Sequence, residues 1–208
     1  YYDHTNGDLK FAQFNGSTWT LTTVDSAGDV GQSTSLAFSP AGHPAISYQD
    51  VTNKDLKFAQ FNGSTWSVIT IDSAGNVGTY SSLAFSSAGL PAISYFDSTN
   101  GDLKIAQFTG ASWAISTVDA TGNVGTYSSL AFSPADLPAV SYYDDTNRDL
   151  KFAQFTGSAW MITTGDSVGL VGGHTSLAFS PAGLPTISYC DFTNQDLKFA
   201  TRALFTRP

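Results

Sequence analysis

The feature that most constrains this chain is a repeat. The triplet Asp-Leu-Lys begins at Asp8, Asp55, Asp102, Asp149 and Asp196, each 47 residues after the last. Trp19, Trp66, Trp113 and Trp160 keep the same period, as do the leucines of a short apolar run, Leu36, Leu83, Leu130 and Leu177. A fixed period of roughly 20 to 50 residues is the mark of a stacked array, in which one supersecondary unit buries its apolar face only against its neighbours. The unit of folding is therefore the repeat, and residues 1–208 form a single domain of repeats 1–47, 48–94, 95–141, 142–188 and a partial 189–208.

Within one period the apolar pattern alternates every two residues. SLAFS, ISYFD, DLKIAQF and WAISTVD in residues 82–119 read as four short strands, separated by Gly, Asn and Pro turns. In the fourth, Trp113, Ile115 and Thr117 share one face and Ala114, Ser116 and Val118 the other, so both faces are fairly apolar. The tryptophans are expected in the core. Four strands in a meander per repeat predict an all-β fold, a β-propeller of 47-residue four-stranded blades. Four whole blades plus an N-terminal half-blade favour five-bladed closure. A four-bladed ring, or an open fragment completed by a second chain, remains open. The tail RALFTRP (202–208) is expected to serve as a degenerate fourth strand.

Composition excludes several function classes. Of the 208 residues, 41% are hydrophobic, which rules out a disordered chain, and only 12% are charged. Nine basic against seventeen acidic residues give a net charge of -8, so nucleic acid and anionic membranes are poor partners. No apolar run of 18 residues is present to insert into a bilayer. Every acidic residue is aspartate. Cys190 is the only cysteine, which excludes an intrachain disulfide and a thiolate metal cluster. The chain opens on Tyr1 in mid-repeat, as expected of a processed or excised piece.

The turn between third and fourth strands carries GSTW at Gly16–Trp19 and Gly63–Trp66, which resembles the end of the Asp-box of sialidase-type propellers, although Phe14 and Phe61 stand where that motif has its aspartate. More broadly, the tyrosine-rich strand and following turn resemble fucose-type lectins and the repeat propellers of secreted bacterial proteins. The resemblance implies a secreted or cell-surface location and a sugar held between neighbouring blades. Sialidase chemistry does not carry over residue by residue, because it uses an arginine triad and a glutamate-activated tyrosine. Here only Arg148 lies within the repeats, with Arg202 and Arg207 in the tail, and there is no glutamate.

His4, His43 and His174 fall at three different places in the repeat, so repetition does not build a metal set from them, and no serine sits in a nucleophile elbow. The recurrent DSTNGD loop (97–102) offers oxygen ligands to calcium, but reads more simply as a hairpin turn in which the first Asp bonds its own downstream amides. No catalytic residue, metal or cofactor is assigned. The lysine of each triplet reads as a paired or solvated scaffold charge.

Function is sought where the repeats differ. The long loop after each fourth strand, VDATGNVGTYSS in residues 118–129, has Ser33, Tyr80, Tyr127 and His174 at one aligned position across the repeats. On the same face, the loop after each second strand carries Asp50, Asp97, Asp144 and Asp191, with Lys54 and Arg148 beside it. Aromatic rings offer a sugar a stacking face, and Asp bonds its hydroxyls. These residues are the expected ligand sites, with Tyr80 paired to Asp97 and Tyr127 to Asp144 between blades. The reading is a non-enzymatic, lectin-like module binding glycans. A propeller scaffold for a protein partner is the alternative, and a glycosidase-type enzyme the third.

Overall fold

The computed structural model describes residues 1–201; the tail expected as a fourth strand lies outside the described residues. Among the described residues, eighteen strands and no helix form five antiparallel sheets in chain order. The first holds β1 (Tyr2–Asp3), β2 (Asp8–Phe14) and β3 (Trp19–Asp25). The second holds β4 (Val30–Phe38), β5 (Pro44–Asp50), β6 (Asp55–Phe61) and β7 (Trp66–Asp72). The third is β8 (Val77–Phe85), β9 (Pro91–Asp97), β10 (Asp102–Phe108) and β11 (Trp113–Asp119). The fourth is β12 (Val124–Phe132), β13 (Pro138–Asp144), β14 (Asp149–Phe155) and β15 (Trp160–Asp166). The last is β16 (Val171–Phe179), β17 (Pro185–Asp191) and β18 (Asp196–Thr201). The architecture is an all-β array of three- and four-stranded sheets, propeller-like in its meander and in the stacking of first strand on first strand (β4 on β8, β8 on β12, β12 on β16).

Burial is greatest in the second strands and falls toward the outer ones. The second strands β5, β9 and β13 are buried along their whole length, whereas the fourth strands are mostly exposed. This corrects the expectation that the fourth strand is covered on both faces. Leu21 and Ile115 are exposed to 62% and 40%. The tryptophans cap the seams between sheets: Trp66 meets Phe11 of the preceding sheet at 5.3 Å between ring centroids, and Trp113 meets Phe58 at the same distance. Trp19 has no preceding sheet to pack on and is 66% exposed.

Between sheets the core is a repeated apolar layer, such as Leu103, Val124, Leu130 and Tyr142 joined with Ala92. It is tight enough to dictate glycine. At Gly125 (φ +109°) a Cβ would stand 2.8 Å from the Leu103 Cα, so only glycine lets the inner strand seat on the previous sheet.

The sheets are also bolted by charge. Asp72, ending the outer strand of one sheet, accepts the Tyr95 hydroxyl at 2.7 Å and the Lys104 ammonium at 2.6 Å, both from the next sheet. Asp25 receives Tyr48 and Lys57, and Asp166 receives Tyr189 and Lys198, in the same way. The lysine of each repeat is thus a paired scaffold charge wherever such an aspartate holds it.

Candidate functional site

The segment read from sequence as a long loop is shorter than expected. The inner strands begin at Val30, Val77, Val124 and Val171, so Ser33, Tyr80, Tyr127 and His174 sit within strands, not on loops. Backbone pairing with the buried second strand, Val77 with Asp97 and Thr79 with Phe96, extends the ladder past the short run seen in sequence. The added stretch is irregular. Thr79 pairs with Phe96 and Ser82 with Ser94, leaving Tyr80 and Ser81 opposite Tyr95 alone, which is a β-bulge. At the bulge Ser33, Tyr80, Tyr127 and His174 take φ of 52°, 52°, 54° and 51°, a left-handed backbone that is costly for side chains other than glycine. Bulges re-aim side chains, and here four equivalent side chains are aimed at one place.

That place is an open depression of about 320 Å³ lined by these four residues and the hydroxyl residues that follow them, Thr34, Ser81, Ser128 and Thr175. The rings form a continuous arc: Tyr80 and Tyr127 have centroids 4.7 Å apart, and Tyr127 and His174 4.2 Å. Phe96 and Tyr143 back the arc at 6.5 Å from Tyr80 and 6.3 Å from Tyr127. The hydroxyl residues hold the arc in place. Ser128 donates to the Tyr80 carbonyl at 2.9 Å, Thr175 to the Tyr127 carbonyl at 2.9 Å, and Ser81 to the Ser33 carbonyl at 2.8 Å. Burial, and then the neighbouring Tyr127, push the Tyr80 phenol above its ordinary value.

The aspartates lie elsewhere. Asp97 is 1% exposed; its carboxylate accepts the Thr99 and Asn100 amides and the Asn100 side chain, with Lys104 at 3.7 Å. Asp50, Asp144 and Asp191 are equally buried and close their own turns through Asn53, Asn147 and Asn194. The oxygens that a calcium ion or a sugar hydroxyl would use are taken up by the turn. The structure therefore brings Ser33, Tyr80, Tyr127 and His174 together, while each aspartate serves its own hairpin. The two loop sets do share a face, since the Asn76 amide donates to Thr99 Oγ1 and the Ser98 amide to the Asn76 carbonyl. Lys54 and Arg148 stand exposed on that rim.

Sequence reasoning placed the tyrosines beside Asp rather than beside one another. The usable signal was the period itself: one aligned position per repeat, on the strand nearest the stacking axis, converges.

No protein family matches the chain, and no curated protein is similar to it in sequence. Solved structures do share its architecture. A protein of unknown function from Dyadobacter fermentans superposes with a TM-score of 0.61 at 10% identity, over 91% of this chain and 70% of its own. The NanB sialidase from Streptococcus pneumoniae superposes with a TM-score of 0.58 at 11% identity, over 89% of this chain and 33% of that one. An ulvan lyase, bound to a chain of glucuronate and sulfated rhamnose, gives 0.57 at 14%, over 87% of this chain and 57% of that one. This chain thus spans between a third and three fifths of those enzymes. The neighbours overturn the expectation of a non-enzymatic, lectin-like module. Two sialidases, the lyase and an arabinofuranosidase are among the solved structures that share the fold. At 10–14% identity the likeness is one of fold, to sialidase- and lyase-type repeat architectures.

Proposed function

We propose that the five sheets are blades of a propeller belonging to a carbohydrate-active enzyme, and that the arc of Tyr80, Tyr127 and His174 is its acid–base site. The observation that carries this reading is the convergence of two phenols and one imidazole in an open depression whose lining contains no carboxylate. Glycoside hydrolysis by the common route needs two carboxyl groups flanking the bond. Elimination does not. In a uronate polysaccharide the carboxyl group acidifies the neighbouring C5–H once a cation neutralises its charge, so one cation, one base and one acid suffice.

In this reading His174 takes the C5 proton while a tyrosine phenol delivers its proton to the departing glycosidic oxygen. The C–H bonding pair becomes the C4–C5 double bond, the C4–O bond breaks, and the two side chains recover by proton exchange with water. A neutral imidazole carries a free ring nitrogen that can accept a proton, and a phenol carries one to give. Ser33 and Thr34 would bond sugar hydroxyls, the aromatic rings would stack on the sugar face, and Lys54 and Arg148 are the rim cations available to a polyanion. A neighbouring fold that processes a glucuronate polymer supports the same substrate class.

The test is product chemistry. The chain is incubated with glucuronate- and other uronate-containing polysaccharides, and with neutral glycans. Oligosaccharides with an unsaturated, ultraviolet-absorbing end are expected from the first group. Saturated products, or no cleavage of any uronate polymer, would contradict the proposal.

A further inference from the structure

The loops beside the arc share one backbone and differ in their side chains. The residue that follows each second strand, Val51, Ser98, Asp145 or Phe192, donates its amide across the seam to the carbonyl of Asp29, Asn76, Asn123 or Leu170 at 2.8 or 2.9 Å. The threonine one place on, Thr52, Thr99, Thr146 or Thr193, accepts the amide of that same partner. On this constant frame the seam that carries His174 is apolar. Where the two seams before it have Asn76 with Ser98 and Asn123 with Asp145, it has Leu170 with Phe192, and Val168 stands exposed in the same turn.

Phe192 is seated by a paired change. Thr79 and Thr126 on the earlier inner strands align with Gly173, and a Cβ at Gly173 would run into the Phe192 ring. The backbone at Gly173 is not left-handed, so what selects glycine there is the ring. Phe192 turns into the space so left, its centroid 6.1 Å from that of His174 and 6.5 Å from that of Tyr143. The rings that back the tyrosines, Phe96 and Tyr143, are 9% and 6% exposed, whereas Phe192 beside His174 is 39% exposed. That exposure belongs to the position, since Ser98 and Asp145 are exposed at internal seams too. The base of the arc therefore has a bare phenyl face next to it.

Elimination determines what that face meets. The proton leaves from C5 of the uronate, and the carboxyl group is carried by the same carbon, so a base that reaches C5 has the carboxyl group beside it. A free carboxylate against a phenyl face loses hydration and gains no partner. A methyl ester is uncharged, buries its methyl on the ring, and draws electrons from C5 without a cation.

With the arc acting as the acid–base site, we infer that its substrate is the methyl-esterified form of a uronate polymer, and that Phe192, seated on Gly173, is the specificity-determining residue that holds the ester methyl. His174 takes the C5 proton and the C–H pair becomes the C4–C5 double bond. The C4–O bond breaks, the departing oxygen receives the phenol's proton, and the ester stays intact on the unsaturated product. Arg148, exposed on the neighbouring loop with its carbonyl accepting the Val171 amide at 3.1 Å, is the cation that would serve a free acid instead.

One polyuronate, prepared fully methyl-esterified and as the free acid at matched length, tests this through initial rates of unsaturated-product formation. The parent should prefer the ester by about tenfold, as expected of one small apolar group in an apolar pocket. Phe192→Ser, which copies Ser98, should remove most of that preference, chiefly through KM. Gly173→Thr together with Phe192→Ser restores the internal pairing of Thr79 with Ser98 and should do the same, with circular dichroism showing an intact fold. Equal rates on the two forms, or a faster free acid that Arg148→Gln slows, would overturn the inference and leave the acid–base reading standing. An ester preference that survives both variants would take the role from Phe192. Cleavage of neither form would overturn both readings.

Discussion

The Tyr95 hydroxyl donates to the Asp72 carboxylate across a sheet boundary, at 2.7 Å, while Lys104 holds the same oxygen at 2.6 Å. Tyr95 is fully buried and Asp72 nearly so. A hydrogen bond to a buried charge contributes more than a neutral one, so Tyr95→Phe should cost about 2 kcal/mol. Asp72→Ala, which strands both the phenol and the ammonium, should cost about 3 kcal/mol or more. Urea unfolding of each variant checks the order; equal stability of the two with the parent would remove the bolt from the account.

These groups set the pH range of stability. Burial pushes the Asp72 carboxyl up, but hydrogen bonds from Lys104, Tyr95 and the Ala74 amide outweigh it and hold the group below its ordinary 3.8. Asp25 and Asp166 are depressed in the same way. A depressed carboxyl stabilises the fold above the unfolded value and loses that contribution as pH falls through the folded one. At the other end, burial and then the Asp166 hydrogen bond push Tyr189 up to about 12 from 10.0, and Tyr95 is raised further by burial and Asp72. A raised phenol contributes fully below 10.0 and loses it as pH rises toward the folded value. Thermal melts should therefore show a plateau bounded by losses below about 3.8 and above about 10. A melting temperature already falling between pH 7 and 9 would contradict this.

Two glycines with similar backbone angles should behave differently. Gly125→Ala meets Leu103 Cα at 2.8 Å and should cost about 3 kcal/mol or more, whereas Gly110→Ala meets nothing within 4 Å and should cost about 1 kcal/mol from backbone strain alone. Denaturant midpoints of the pair give the comparison directly.

Two tryptophans form a similar contrast. Trp66 seals a seam against Phe11 and Phe61; its replacement by alanine should cost about 3 kcal/mol. Trp19 is 66% exposed, and the same change there should cost no more than about 1 kcal/mol. Equal losses would contradict the seam contact as the source of the Trp66 contribution.

Much of the architecture was legible because it repeats. Period and alternation identified the strands and their order, and the turn chemistry of Asp97 with Asn100 was visible in the loop itself. The inner strand's reach was not, because Val124–Phe132 mixes glycine, threonine and serine with its apolar residues and gains its order from the buried strand beside it. The site was half legible. The aligned positions of Ser33, Tyr80, Tyr127 and His174 line one depression, yet their mutual contact depends on how far successive sheets rotate, which no single repeat encodes. The aspartates misled because a carboxylate reads the same in sequence whether it faces a ligand or, like Asp97, its own backbone.

The central claim is that the arc acts as an acid–base site, and His174→Gln tests it most directly. The variant keeps a polar side chain at the bulge and removes the base. With uronate polymer as substrate and circular dichroism showing an intact fold, the rate of unsaturated-product formation should fall by roughly 10²- to 10⁴-fold, while Trp19→Ala, remote from the depression, leaves it near the parent rate. A parent chain that forms unsaturated product as fast after His174→Gln as before would contradict the account.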